Sequence, residues 1–367
     1  MRAIAILSVV FSHFLWVYPD WNNGLTQLLI IAGFMGVEIF FVLSGFLIGG
    51  ILYRLFVEEQ QGGRRLGYFL IRRWFRTLPN YYLILLVNLG IWIYFGRELP
   101  DYWTRYFYFF QNGLSGMPIF FTESWSLPIE EFAYVIGPVL LLLCILLFRK
   151  RYRKRSFLLV TLAIILFFFL TKVWYNQNQV PNSMDFWNVE LRAVVLYRID
   201  AIYYGVLFAF LSRQFGKGWV NNRNIFFLLG LALFMSLQLS VAFFGFNSYN
   251  SPILFNVFYL PICSLSVALT LPWFSSLRSI PASWMRSITW ISLISYSMYL
   301  LHYSIILQLM RYFLMPDEAG PLTAVFMGLG YIVLTAGLSY GLFRLYEKPM
   351  MDLRDHPSIK RIFYIKN

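Results

Sequence analysis

The chain has 367 residues, of which 59% are hydrophobic, 20% aromatic and 13% charged, with a formal net charge of +13. Soluble domains carry about 25% charged residues, so this chain lacks the polar surface of a water-exposed globule and has the composition of a polytopic membrane protein. Its basic excess sits in short clusters between apolar runs, the positive-inside pattern of a membrane protein, which excludes a nucleic-acid groove.

Ten apolar stretches approach the roughly 17–25 residues a helix needs to cross a bilayer. They cover 3–18, 29–54, 79–96, 129–148, 157–175, 190–212, 224–246, 252–274, 289–314 and 322–346. The pattern predicts an all-α polytopic membrane protein, a bundle of about ten transmembrane helices. The first stretch reads as a retained helix, because no small-residue cleavage site follows it at YPDWNN. The sixth is the most charged, with Glu190, Arg192, Arg198 and Asp200.

The connections alternate in charge. Arg64, Arg65, Arg72, Arg73 and Arg76 follow the second span, RKRYRKR (149–155) the fourth, and Arg213, Lys217 and Arg223 the sixth. Arg278 and Arg286 follow the eighth span, and Lys348, Arg354, Lys360, Arg361 and Lys366 end the chain. The opposite loops hold Asp20, Glu98, Asp101, Glu123, Asp185, Asp317 and Glu318. This Lys/Arg bias places both termini in the cytoplasm. The organisation expected is one membrane domain over 1–348 and a basic cytoplasmic tail over 349–367, with no internal repeat and no appended soluble domain. Cys144 and Cys263 fall inside apolar runs and read as small hydrophobes, with no disulfide framework and no metal-ligand spacing.

Arg2 and His13 stand eleven residues apart in MRAIAILSVVFSHF. Eleven steps are about three helical turns, so both side chains share a face roughly 16 Å apart along the axis. An ionisable group within the membrane marks a functional site by default, and an imidazole suits general-base catalysis near neutral pH. In the second span, Glu38 needs a partner, and Ser44–Gly45 reads as close helix packing. A nucleophilic Ser44 would require a base beside it.

Arg73 and Arg76, three apart before the third span, form a cationic clamp suited to a phosphorylated cytoplasmic ligand; an ordinary positive-inside flank is the structural rival. In ESWSLPIEEFAYVIGP (123–138), Pro128 fits a first helical turn, and Glu130 and Glu131 fit the positive end of a helix dipole. Glu130 is also placed to orient a catalytic histidine. Arg198 and Asp200, two apart, do not face each other, so each pairs elsewhere. His302, in ISYSMYLLHYSI, reads as a structural hydrogen-bonding residue or a second catalytic histidine.

Taken in order, RAIAILSVVFSH, GVEIFFVLSGFLIGG, RRWFRTLPNYY, SWSLPIEEFAY, RIDAIYYGVL, ISYSMYLLH and YEKP resemble the acyltransferase-3 family of bacterial integral membrane acyltransferases, and the resemblance covers essentially the whole chain. It implies transfer of an acyl group, commonly acetyl, from cytoplasmic acyl-CoA to a hydroxyl, commonly on an extracytoplasmic glycan. Acyl-CoA is then a co-substrate, and no permanently bound cofactor is implied. The family's Arg-ten-residues-His signature falls on Arg2 and His13, its Arg-x-x-Arg pair on Arg73 and Arg76, and its Trp-Ser-Leu-x-x-Glu segment on Trp125, Ser126, Leu127 and Glu130. The expected site has His13, as general base or transient acyl acceptor, and Glu130 as catalytic residues and Arg2, Arg73 and Arg76 as donor-binding residues. Glu38, Ser44, Trp125, Ser126, Arg198, Asp200 and His302 are expected to support them. The resemblance places the protein in the bacterial cytoplasmic membrane. The rival reading is a transporter or flippase whose pathway uses Glu38, Arg198 and Asp200. A scaffold binding anionic lipid through 149–155 is a third.

Overall fold

Backbone amides inside hydrocarbon must be satisfied within the chain, so a sequence this apolar without barrel periodicity folds as helices. The computed structural model describes residues 1–15, 24–60, 63–117, 119–179, 183–277, 281–314 and 321–357. Among them there are helices, turns and loops but no strand. The protein is an all-α, multi-pass membrane protein. The expected loop charges Asp20, Arg278, Asp317 and Glu318, the tail cations Lys360, Arg361 and Lys366, and the YPDWNN stretch lie outside the described residues.

Among the described residues ten principal helices run in order: α1 Arg2–Phe14, α2 Gly24–Tyr53, α3 Gly63–Tyr94, α4 Ser126–Leu147, α5 Arg153–Asn178, α6 Ile199–Gln214, α7 Arg223–Phe244, α8 Leu260–Ser275, α9 Ala282–Leu301 and α10 Pro321–Leu342. Among the described residues, eight helical runs are long and apolar enough to cross a membrane. Two of the ten expected spans depart from that length. The helix expected over 3–18 stops at Phe14, and its 13 residues make roughly 20 Å, short of a ~30 Å hydrocarbon core. His13 therefore sits at a helix end, not in mid-helix.

The sixth span is broken. A π-helical turn at Asn188–Arg192 and a 3₁₀ turn at Val195–Tyr197 precede the 16-residue α6. Irregular backbone survives at membrane depth only when protein satisfies it. Here Val195 N–H donates to the Asn112 carbonyl (2.9 Å) and Leu196 N–H to that of Gly113 (3.2 Å). Asn112 Nδ2 donates to the carbonyls of Ala193 and Trp125, and Thr171 Oγ1 to that of Leu196. The third helix also begins earlier than expected, so Arg72, Arg73 and Arg76 lie on α3 itself, within the two turns before its internal Pro79.

Small residues set the central crossing. α2 packs most extensively on α6, where Gly45 lies against the Ile202 carbonyl and Gly205 against the Val42 carbonyl, with no room for a Cβ at either. α1 packs on α2 in the same way, Gly36 lying against the Ala5 carbonyl. The face of α1 turned inward carries Ala3, Ala5, Ile6, Val9 and Val10, while Ile4 and Phe11 point outward.

The basic connections gather at one end. Arg213 pairs with Glu58 at 3.3 Å, and Arg153 donates to the Phe56 carbonyl at 3.3 Å. Arg72 stands 4.0 Å from Asp355, and Arg2, Arg76 and Met351 line one cleft, so the start of the chain and residues 348–357 lie at this end too. At the opposite end, Gly116 N–H donates to Glu190 at 3.0 Å, joining the loop after α3 to the segment before α6.

Candidate active site

α1, α2, α3, α4 and α9 enclose a cavity of about 690 Å³, counting the part open to solvent. Three guanidinium groups, Arg2, Arg73 and Arg76, line it, together with Ser126 and Tyr299. A second cleft of about 630 Å³, lined by Arg2, Arg76, Thr289, Ser292 and Glu347, adjoins it through the two shared arginines.

Arg73 is committed within the protein. Its Nη2 donates to Glu130 Oε2 at 2.9 Å and to Tyr134 Oη at 2.5 Å, and its guanidinium lies 4.1 Å from the Tyr134 ring centre. Tyr134 Oη in turn donates to Glu130 at 2.7 Å and accepts from Ser44 Oγ. Arg2 and Arg76, by contrast, have no hydrogen-bond or ion-pair partner among the described residues, although both line the cavity. Guanidinium forks left open in this way are suited to phosphate oxygens.

The geometry corrects the expected place of Glu130. Its carboxylate is engaged by Arg73 and Tyr134 at the arginine end and makes no hydrogen bond to His13. Glu130 lies one helical turn after Ser126 and one turn before Tyr134, on the face of α4 that meets Arg73 of α3. Ser44 touches the Tyr134 hydroxyl and no base, so the arrangement a nucleophilic serine needs is absent there.

His13 meets His302 instead. His302 Nε2 lies 3.3 Å from His13 Nδ1, with ring centres 4.9 Å apart, and the Tyr303 ring is 4.9 Å from His13 on another side. His13 Nδ1 is also 2.9 Å from the Val9 carbonyl. His302 is fully buried at the start of a π-helical turn, His302–Leu307, and its Nδ1 is 2.8 Å from the Tyr299 carbonyl. The same Tyr299 lines the cavity, its hydroxyl donating to the Glu123 carbonyl (2.9 Å) and contacting Ser126 Oγ (2.7 Å). The cavity thus runs from the arginines to the residue that holds His302.

Trp125 supports this wall from behind, under the Arg192 guanidinium at 5.0 Å, which also lies 4.4 Å from the Phe34 ring. The remaining charges close on one another. Arg198 pairs with Glu38, which also accepts from Ser264 at 3.1 Å, and Asp200 pairs with Lys172 at 2.5 Å. All four side chains are fully buried. Cys263 is buried and Cys144 half-buried, both as free thiols.

Sequence reading missed Glu123, Tyr134, Lys172, Arg192 and Tyr299. Glu123 was expected in a polar loop but is buried, its Oε1 accepting from Ser304 Oγ (2.6 Å) and Ser304 N–H (3.1 Å). Tyr134 and Tyr299 had a local signal, being four residues from Glu130 and three from His302. Nothing local marked Lys172, which is surrounded by apolar residues in sequence and finds Asp200 only in the fold.

Residues 1–344 match a family model described as an acyltransferase domain. The chain is 29% identical over 330 residues to the peptidoglycan O-acetyltransferase OatA of Listeria monocytogenes, covering 83% of this chain and 48% of that protein. It is 26% identical over 383 aligned positions to a putative O-acetyltransferase of Staphylococcus aureus (95% and 56% covered). Over 200 residues it is 30% identical to the putative peptidoglycan O-acetyltransferase YrhL of Bacillus subtilis (50% and 29% covered). The chain therefore spans about half the length of these curated relatives or less. No solved structure matches it significantly. With the family model covering nearly its whole length, on a helical membrane bundle whose arginine-lined cavity leads toward paired histidines, the chain belongs to the acyltransferase-3 family.

Proposed function

We propose that the protein is a membrane O-acyltransferase that moves an acetyl group from cytoplasmic acetyl-CoA to a hydroxyl on a cell-surface or exported glycan, in the bacterial cytoplasmic membrane. The observation that carries this reading is the cavity with open guanidinium groups at one end and the Tyr299 wall, behind which His302 and His13 meet, at the other. A soluble, polyanionic donor cannot cross hydrocarbon at tolerable cost. In this reading Arg2, Arg76 and the rim around Arg73 hold its phosphates, while the uncharged pantetheine arm enters the cavity and carries the thioester inward. The names of the Listeria and Bacillus relatives favour peptidoglycan as the acceptor glycan.

At the reacting centre the acceptor oxygen bonds to the thioester carbonyl carbon and the carbon–sulfur bond breaks. His13 takes the hydroxyl proton and returns it to the departing thiolate, leaving an ester and free coenzyme A. Glu130 acts at the donor end in this scheme, fixing Arg73 rather than His13. The transport reading draws no support from the cavities described above, since Glu38, Arg198 and Asp200 line none of them and are neutralised in closed pairs.

The test supplies membranes containing wild-type protein or His13→Ala with acetyl-CoA labelled in the acetyl group. Wild type should place base-labile label in envelope glycan, and His13→Ala should do so about 10²–10⁴-fold more slowly. Equal incorporation by both would remove His13 from the chemistry.

A further inference from the structure

Three histidines occur in the chain, and two of them meet inside the bundle. His302 Nδ1 faces the Tyr299 carbonyl and His13 Nδ1 faces the Val9 carbonyl, at 2.8 and 2.9 Å. A carbonyl oxygen only accepts, so each Nδ1 carries a hydrogen. A neutral His302 is then bare at Nε2, the atom 3.3 Å from His13 Nδ1. That lone pair accepts the His13 Nδ1 hydrogen, which it shares with the Val9 carbonyl. The other assignments set two hydrogens, or two lone pairs, against each other. One arrangement satisfies all three contacts, and it leaves His13 Nε2 bare, with no hydrogen-bond partner among the described residues, on a part-exposed ring.

We propose that His302 is the positioning residue for His13: it fixes the Nδ1–H tautomer and presents Nε2 as the basic atom to the acceptor hydroxyl. The proposal rests on reading His13 as the general base. Its logic is that of a catalytic triad, where a third group holds the base in the right tautomer and steadies its cation. When His13 takes a proton on Nε2, the charge spreads over the ring and the Nδ1–H bond to His302 becomes charge-assisted, hence stronger. A lone carboxylate would be costly to bury here before the reaction. Glu130 is engaged by Arg73 and Tyr134 at the arginine end, and Glu123 by Ser304. His302 is itself held rigidly, between the Tyr299 carbonyl and rings of Tyr299 and Tyr303 at 5.7 and 6.3 Å.

Two measurements test this on the full chain in lipid bilayers. Solid-state ¹⁵N spectra of histidine-labelled protein, with the exposed His356 replaced by His356→Gln to remove its signals, should report the Nδ1–H tautomer at both remaining rings. His302→Phe should return His13 to a mixture of tautomers. A wild-type His13 protonated on Nε2 would overturn the proposal, whatever the variants do. In turnover, His302→Phe should lower kcat about 10²-fold at an unchanged KM for acetyl-CoA. His302→Gln, whose amide oxygen can accept the Nδ1 hydrogen, should recover most of that loss. Equal kcat for the Phe and Gln variants would reduce His302 to packing and overturn the proposal. Full activity in His13→Ala with the expected spectra would instead sink the general-base reading and leave the tautomer assignment standing.

Discussion

Arg73 and Arg76 are three residues apart on one helix and have different surroundings. Arg73 is tied to Glu130 and Tyr134, so Arg73→Ala would strand a carboxylate and a phenol that were arranged around it. Arg76 holds no internal partner among the described residues while lining both cavities. A hydrogen bond to a charged group contributes about 1.5–3 kcal/mol, and tenfold in affinity corresponds to about 1.4 kcal/mol. Arg76→Ala should therefore raise the KM for acetyl-CoA roughly 10–100-fold while leaving the thermal unfolding midpoint in detergent near wild type. Arg73→Ala should lower both activity and that midpoint. Identical midpoints for the two variants would show that the Arg73–Glu130–Tyr134 cluster carries no structural load. The buried pairs Glu38–Arg198 and Lys172–Asp200 belong to the same logic. Removing one partner of such a pair typically costs about 3–5 kcal/mol, because the other charge is left in the core.

Helix packing is where small residues matter. At the α2–α6 crossing, a Cβ on Gly45 would press on the Ile202 carbonyl, and backbone cannot swing aside as a side-chain tip can. Gly50, on the same helix, has open space where its Cβ would be. Gly45→Ala should thus destabilise by about 1–3 kcal/mol, while Gly50→Ala should be neutral or slightly favourable; denaturant titration of the purified protein compares them. Equal effects would mean that the crossing relaxes. The string SGFLIGG showed that close packing was available, since small residues are its signature. It could not show which of its glycines faced α6. Nor did hydropathy reveal the break in the sixth span, because the groups that satisfy its backbone, Asn112 and Gly113, come from a loop some 80 residues earlier. The π-helical turns are equally silent in sequence. Two of them end in Arg192 and Glu347 and one begins with His302, in keeping with the tendency of such turns to mark functional sites.

For the whole molecule, the alternation of charge along the chain predicted two ends of opposite character. The contacts Arg213–Glu58, Arg153–Phe56 and Arg72–Asp355 draw the basic connections together at one of them. With Cys144 and Cys263 replaced by Ser, a cysteine at Arg151 should react with an impermeant maleimide only in inverted vesicles. One at Tyr108, on the opposite, exposed loop, should react only in intact cells. Labelling of both from one side would overturn the assigned orientation.

Periodicity and composition alone determined that this chain is a helical membrane bundle, where its charged connections fall, and that Arg2 and His13 share a helix face. These are local properties, set by a rise of about 1.5 Å and 3.6 residues per turn. The fold decided partnership. It gave Glu130 to Arg73 and Tyr134 rather than to His13, and it brought His302 to His13 across 289 residues of sequence. It also ended α1 at Phe14, so that a short helix delivers its histidine to the interior. Local patterning tells which face a side chain occupies. Only the packing of distant helices, driven by close fit and by the need of every buried polar group for a partner, tells what that face meets.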